Sequence, residues 1–442
     1  MRTRSEFDVV VAGGGVAGAC VAVALGEFGY RVAVVEPGMD PSKRLAGELV
    51  HPPGAAALAE LGVLDDLRAG EGGRVTGFSV RFGGAADAVV VRLPYAQASG
   101  HLGLAVEHGF MRERLLAAAS RCPWVTVLPG ARVTGADLSA KDSATVQVSS
   151  PGQELRLRCR MLVAADGCCS QVSRLAGMMP PCHRVSTLFG VLLRDARLPD
   201  SGYGHVLLGG SGPILAYQLS DGSIRVMFDV PPSATAADCR ANLHALPEPF
   251  RSSVTQALEA GRPLASASYA TSLRQVSRGR LVLVGDAAGC CHPVTSTGLT
   301  VSVRDAVRLR DALREAGGDI ARALPLYARR RRPPQRTRLV MARAAHEIFC
   351  APTPELRLMR DGMREYWLSS ARRRTASMAL LSTADGRLRV MLQEVAQVIL
   401  CGMGARLSDG WREGRFSPAQ TRVLFDLSRR LLRHAGEALR TT

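Results

Sequence analysis

The residues with chemical potential are glycines and acids set at the ends of apolar runs. Gly13, Gly15 and Gly18 form a G-x-G-x-x-G turn, with Val16 and Ala17 inside it, directly after the β-branched run Phe7 to Ala12. The first glycine permits a tight turn, the second lets the backbone approach a pyrophosphate with no Cβ in the way, and the third lets helix and strand pack closely. Glu36 ends a second apolar run 21 positions after Gly15, where a carboxylate can accept hydrogen bonds from a ribose, worth about 1.5–3 kcal/mol. A glycine pattern alone is a weak signal, but strand, helix, second strand and acid in this order indicate a dinucleotide site. Two further apolar runs end in the same way: Met161 to Ala165 leads into Asp166-Gly167, and Leu281 to Val284 leads into Gly285-Asp286. After Asp286, the turn-rich stretch containing Pro293, Thr297 and Gly298 enters a helical run from Leu299 to Leu313. A helix N-terminus presents N–H groups that no helix carbonyl satisfies, plus a partial positive charge, so it favours an electron-rich ligand. Neither paired carboxylates nor a nucleophile triad accompanies these turns.

These turns must be held by a scaffold, and the periodicities describe one. Ala19 to Phe28 reads as a helix, Arg31 to Val35 as a strand and Gly54 to Leu61 as an Ala-rich helix. Alternating segments at Phe78 to Phe82, Val89 to Leu93, Val206 to Leu208, Leu215 to Leu219 and Ile224 to Phe228 read as antiparallel strands. They are too many for the nucleotide domain and are assigned to a separate sheet covering the ligand. Pro231 to Leu246 reads as a loop and then a helix capped by Ser233 or Thr235. The expected fold is α/β: a Rossmann-like nucleotide-binding domain from residues 1–80, 105–180 and 265–335, an inserted, mostly antiparallel β-sheet substrate domain from 81–104 and 181–264, and a helical C-terminal region from 336–442. In that last region Leu388, Met391, Leu392, Val395, Val398 and Ile399 form an apolar stripe, which buries against the protein's own core or, in the alternative, rests on a bilayer surface.

Composition narrows the partners. With 442 residues, 47% hydrophobic and 21% charged, the chain can build two or three cores. Its charge of +17 invites a nucleic-acid reading, but Lys43 and Lys141 are the sole lysines, the arginines are spread along the chain, and aromatics amount to 5%. No basic-aromatic repeat follows from that, so nucleic acid is not an expected partner. The eleven cysteines show no CxxC and no repeated ligand spacing, so neither a disulfide framework nor a metal site is expected, and the thiols read as reduced in a cytoplasm. Cys168-Cys169 and Cys290-Cys291 read as packing residues, and His292 as a structural turn residue beside Pro293. The N-terminal run enters a glycine turn instead of a cleavable signal, and no uninterrupted apolar segment reaches the roughly 18–20 residues of a membrane span.

Taken together, the early GxGxxG, the internal VAADG and the late VGDA…HP…G resemble the FAD-dependent monooxygenases of the aromatic hydroxylase superfamily. Within that superfamily, RLAGELVHPPGAAALAELG, RLPY at Arg92 to Tyr95, EHGF at Glu107 to Phe110, and GDAAGCCHPVTSTGLTVSVRDAVRLRDAL are similar to the squalene epoxidase branch, and the similarity runs over roughly residues 7 to 403. The resemblance implies FAD, with Glu36 on the adenosine ribose, Arg44 on the diphosphate, Arg112 or Arg114 in the place of a family arginine, Asp286 on the ribityl or diphosphate region, and the turn from Pro293 to Leu299 beside the isoalloxazine ring. It also implies transfer of one oxygen atom from dioxygen, by way of a flavin hydroperoxide, to an apolar substrate. NADPH or NADH is the implied electron source; with no second GxGxxG in the chain, it either binds without its own domain or stays on a separate reductase, and the resemblance favours the separate reductase.

The departures redirect the substrate. Where the eukaryotic epoxidases carry a glutamine after GELL this chain has His51, and where they have a glycine-tyrosine pair it has Gly77-Phe78. Ser296 and Thr297 stand where the family has glycines. His51 and Phe78 are therefore the candidate substrate-pocket residues. A prenylated or polycyclic specialised metabolite is expected in place of squalene, with a reductase of prenyl double bonds or a squalene epoxidase proper as alternatives. The expected location is cytoplasmic, with peripheral contact at the inner face of the membrane.

Overall fold

The computed structural model describes residues 5–38, 45–68, 73–84, 88–96, 100–179, 182–261, 263–271 and 275–413, with side chains to 404. Five strands rich in β-branched residues form the parallel heart of the first sheet, in the order Leu281–Leu283, Gln153–Ala164, Glu6–Ala12, Val32–Glu36 and Val125–Pro129, buried through residues 281–283, 161–164, 9–12 and 32–36 and half-exposed at the last, edge strand. Burial on both faces explains why they read as continuous apolar runs and not as alternation. Ser277–Arg278 extends one edge, while Arg132–Asp137 and Ala144–Ser150 form an antiparallel flap off the long strand Gln153–Ala164. Helices Val16–Glu27, His108–Arg121 and Gly298–Glu315 pack with this sheet into one core. All strand ends that carry the glycine-acid turns emerge at the carboxyl edge of the parallel sheet, where ligands of such sheets bind.

The second sheet has seven strands, in the order Leu264–Ala270, His183–Leu193, Ile224–Val230, Ile214–Gln218, Gly204–Leu208, Gly77–Phe82 and Val89–Pro94. It is antiparallel except where Gly204–Leu208 pairs with Gly77–Phe82 in parallel. Period-two patterning sorts its faces. Along Ile224–Val230, Ile224, Val226, Phe228 and Val230 face a core closed by Phe250, Val254 and Leu258, while Met227 faces a core shared with Ile348, Phe349, Met363, Trp367 and Val398. The C-terminal helices Ile320–Cys350, Pro354–Leu368, Ala371–Leu381 and Leu388–Glu413 thus close the back of this sheet. A third, short sheet of Leu49–Val50, Gly103–Ala105 and Arg74–Val75 bridges the two larger ones.

Three expected boundaries move. Residues 77–80 and 265–270 belong to the seven-stranded sheet, because strands Gly77–Phe82 and Leu264–Ala270 pair along their full lengths with substrate-side neighbours. The expected break at 335 falls inside a single helix, Ile320–Cys350, which runs on despite Pro325, Pro333 and Pro334. Its side chains hold both regions at once, as the site shows. The region expected as loop then helix forms a 3-10 helix, Ala236–Ala245, capped by Thr235 in a reciprocal box with Asp238. Of the C-terminal stripe, Met391, Val398 and Ile399 are buried while Leu392 is exposed. No helix of the described residues is long and apolar enough to cross a membrane.

Candidate active site

A cleft of about 400 Å³ opens at the carboxyl edge of the parallel sheet, lined by Gly13, Gly15, Val16, Ala17, Glu36, Asp166 and Asp286 among others. The three fingerprint glycines do three different jobs. Gly13 has φ +101°, and a Cβ there would stand 2.6 Å from the Ala165 carbonyl oxygen. At Gly18 a Cβ would stand 1.9 Å from the Gly13 oxygen, so strand end and helix touch through bare backbone. Around a Cβ at Gly15 there is no atom within 4 Å. That open cradle at the N-terminus of helix Val16–Glu27 is the shape a diphosphate requires. Glu36 is held in place by its own turn: Oε2 accepts from Gly14 N at 2.6 Å, and Oε1 accepts from Gly38 N at 2.8 Å and from Arg112 at 3.1 Å. Arg112 therefore reaches the cleft through Glu36. Asp166 accepts from Val172 N through Oδ2 at 3.1 Å, while its buried Oδ1 has no protein partner. That leaves a buried carboxylate oxygen at the cleft open to a donor from outside the protein. Arg44 lies outside the described residues.

The cleft continues past Asp286, Leu299, Ser302 and His108 into a second cavity of about 230 Å³, whose apolar wall includes Leu45, Leu49, Leu188 and Met227. Pro293, Ser296 and Gly298 form its other side. Ser296 sits in left-handed backbone at φ 51°, which lets the chain turn sharply into helix Gly298–Glu315. The position is a strained one that a family glycine would occupy freely. Thr297 is buried, with Oγ1 accepting from Arg338 Nε at 2.9 Å.

Helix Ile320–Cys350 works as a comb along this turn. Tyr327 donates to the Leu283 carbonyl at 2.9 Å; Arg331 donates to the carbonyls of Ala288 at 3.0 Å and Gly285 at 3.3 Å and pairs with Asp305 at 2.8 Å; Gln335 donates to the Gly289 carbonyl at 3.1 Å. With Arg338, these residues fall on one helix face at intervals of three or four. Arg331 stands in the arginine run Arg329 to Arg332 yet is buried, and the signal that could have found it was the spacing Tyr327, Arg331, Gln335, Arg338. Asp305, also buried, accepts from Gly285 N at 3.0 Å and so fixes the turn that aims Asp286.

His51 and Phe78 stand behind this wall. Together with Val294, Thr295, Phe349 and Met378 they line a separate void of about 20 Å³. His51 Nε2 lies 2.7 Å from the Thr295 carbonyl and Nδ1 lies 2.7 Å from the Tyr95 hydroxyl. A carbonyl only accepts, so Nε2 carries the proton and Nδ1 accepts from Tyr95. Its backbone N–H donates to Thr300 Oγ1 at 2.8 Å. In this arrangement the ring supports the Pro293 to Leu299 turn from behind and is not on the wall of the larger cavity. Burial pushes His51 down to about 4, with the Thr295 contact opposing. An unfolded histidine takes its proton near pH 6.5, so the neutral ring's contribution is complete above that pH and is lost as pH falls toward 4. It amounts to roughly 3 kcal/mol. Denaturant midpoints measured at pH 7 and pH 4.5 are expected to separate more for the native chain than for His51→Gln; equal separations would refute this role.

His292 caps the turn at Pro293, its Nδ1 accepting from Val294 N at 3.1 Å, and all eleven thiols are free. Cys168, Cys290 and Cys291 contribute to the second cavity's wall.

Comparison with known proteins agrees with this geometry. The sequence pattern of the squalene epoxidase family matches residues 158–411. Squalene epoxidase erg1 of Aspergillus fumigatus is 30% identical over 395 residues, covering 82% of this chain and 79% of the relative. Squalene epoxidase 3 of Arabidopsis thaliana is 27% identical over 422 residues, covering 92% and 80%. Among solved structures, Klebsiella pneumoniae HpxO complexed with FAD superposes with TM-score 0.70 at 23% identity, over 89% of this chain and 99% of that one, which shows the shared fold. The open glycine cradle, the acids at three of the strand ends and the matched sequence converge: the chain belongs to the squalene epoxidase family and is an FAD-dependent monooxygenase.

Proposed function

We propose that the chain inserts one oxygen atom, by epoxidation or hydroxylation, into an apolar, prenylated or polycyclic specialised metabolite seated in the second cavity. The observation that carries this reading is the junction of the two spaces at Asp286, Leu299 and Ser302, one space polar and glycine-lined, the other walled by Leu45, Leu49, Leu188 and Met227. Gly13, Gly15, Val16, Ala17 and Gly18 would cradle the FAD diphosphate, with Glu36, Arg112 and Asp166 beside it. Gly285 and Asp286 would serve the ribityl side, and Pro293, Thr297, Gly298 and Leu299 the ring. Bound and reduced, FAD supplies dioxygen activation, which no side chain here provides.

The chain's own residues do the rest. The N-terminus of helix Gly298–Glu315 sets backbone donors toward the cavity, favouring negative charge there without a titrating group. Arg331 and Gln335 hold the Gly285 to Gly289 carbonyls in place, so the turn keeps its shape as ligands come and go. Leu45, Leu49, Leu188 and Met227 keep the reacting end of the substrate out of water, which limits unproductive loss of activated oxygen. Electrons come from NADPH or NADH by way of a separate reductase, and the protein works in the cytoplasm, with peripheral contact at the membrane's inner face. Squalene is a second reading, favoured by the names of the relatives.

The test incubates FAD-loaded protein with a reductase, NADPH, labelled dioxygen and a panel that includes squalene and prenylated aromatic compounds. One labelled atom is expected in a prenylated or polycyclic product, and none without the reductase. Labelled squalene oxide as the sole product would support the second reading. A substrate reduced with no oxygen uptake would defeat both and point to a prenyl reductase. Rapid bleaching of the flavin by NADPH alone would remove the reductase from the scheme.

A further inference from the structure

Behind His292, on the far side of the second cavity's wall, lies a group of side chains that the oxygen chemistry does not use. Asp229, on strand Ile224–Val230, is buried, with Oδ2 in contact with the ring nitrogens of His346 and His292 and Oδ1 without a hydrogen-bond partner. His346 and Cys350 stand one helical turn apart at the end of helix Ile320–Cys350 and face it. His346 Nε2 lies 2.9 Å from Asp229 Oδ2 and 3.5 Å from Cys350 Sγ, and the three ligand atoms all lie within 4.8 Å of one another. Nε2 lies within reach of the carboxylate and the sulfur at once, an imidazole–carboxylate pair with the thiol beside it. A carboxylate, an imidazole nitrogen and a thiol thus converge on one point.

We propose that Asp229, His346 and Cys350 form a three-ligand site for a borderline divalent cation of the Zn2+ class. Carboxylate and thiolate together neutralise a divalent charge, and the mixture of oxygen, nitrogen and sulfur donors suits zinc better than calcium or magnesium. Tetrahedral bonds of about 2.0–2.1 Å to nitrogen and oxygen and about 2.3 Å to sulfur place ligand atoms roughly 3.3 Å and 3.6 Å apart. The present separations of 2.9 Å and 3.5 Å approach these. Binding asks the carboxylate to withdraw by about 0.4 Å from the ring while the ring's Nε2 proton and the thiol proton are both released to solvent.

His292 is an outer partner and not a fourth ligand. Its Nδ1 accepts from Val294 N, so Nε2 carries the proton and faces Ser186 Oγ at 2.8 Å and Asp229 Oδ2 at 3.2 Å. Its ring stacks on His346 with centroids 3.8 Å apart. A metal here would join strand Ile224–Val230 to helix Ile320–Cys350 and hold His292 against the cavity. The fourth position is left to water or a small ligand, as in sites with three protein donors. The proposal does not depend on which substrate the cavity takes.

The test uses FAD-loaded full chain, freed of metal by chelator dialysis and then given Zn2+ or Co2+. One equivalent of zinc per chain is expected to survive gel filtration, and cobalt is expected to show thiolate-to-metal absorption. Cys350→Ser should lose that absorption, and His346→Ala should lose stoichiometric zinc. On the unsubstituted chain, zinc should slow iodoacetamide alkylation of Cys350, read by peptide mapping, by at least tenfold. Zinc held equally by both variants, or Cys350 alkylated at one rate with and without zinc, overturns the proposal whether or not the variants fold well.

Discussion

Glu48→Ala is expected to cost about 3–5 kcal/mol of folding stability, the penalty for leaving a buried charge without its partner. Glu48 and Arg225 are buried at 2% and 8% side-chain exposure and meet in a two-pronged pair, Nε to Oε2 at 3.0 Å and Nη2 to Oε1 at 2.9 Å. Tyr217 donates to the same carboxylate at 3.1 Å. The three residues pin the Leu45 to Leu49 wall of the second cavity to the seven-stranded sheet. Removing the carboxylate strands a guanidinium and a phenol where water cannot replace the lost acceptor. Urea denaturation reads the effect. The double variant Glu48→Leu with Arg225→Met should recover most of the loss, because no buried charge then remains. A single-variant loss below 1 kcal/mol would mean that water reaches Arg225.

The second large effect separates two glycines that a sequence pattern treats alike. Gly18→Ala should yield little folded protein: its Cβ would lie 1.9 Å from the Gly13 oxygen, and both partners are backbone, which cannot swing away. Gly15→Leu should fold with nearly unchanged melting behaviour in the absence of cofactor, since nothing stands within 4 Å of a Cβ there. It should nonetheless purify colourless, with FAD content at least tenfold lower, because its side chain occupies the diphosphate cradle. Far-ultraviolet circular dichroism and the visible flavin spectrum decide the matter. Yellow Gly15→Leu protein would move the diphosphate elsewhere, and soluble Gly18→Ala with native stability would show that helix and strand can part.

The readable part of the site is the part whose rules are local. Gly13, Gly15, Asp166 and Asp286 follow a buried strand end by one to three residues, Glu36 is the last residue of its strand and Gly18 sits in the first turn of the helix beyond, so a single passage of chain carries both the element and the acid or glycine at its end. The strand-loop-helix through Pro293 to Leu299 was legible for the same reason. Domain boundaries were less so: residues 77–80 alternate as well in one sheet as in another, and only pairing with Gly204–Leu208 assigns them. Likewise, an arginine-rich helix looks solvated until its neighbours are known, and Arg331 is buried because Asp305 and two turn carbonyls, 26 to 46 residues away, accept its protons.

His51 shows the division most plainly. Its position after GELV marked it as a pocket residue, and it does border a void with Phe78. Its ring nitrogens, however, are spent on Tyr95 and Thr295, 44 and 244 residues distant. Of the cluster of Asp229, His346 and Cys350, the sequence shows only the one-turn step from His346 to Cys350; Asp229 joins them because strand Ile224–Val230 and helix Ile320–Cys350 meet only when the second sheet closes on the C-terminal helices. The sequence by itself determined the nucleotide cradle and the family, since backbone conformation and strand burial are set within a few residues. Which side chains brace that cradle, which face the substrate and which meet behind it was decided by packing between segments hundreds of residues apart, where shape and hydrogen-bond satisfaction choose the neighbour.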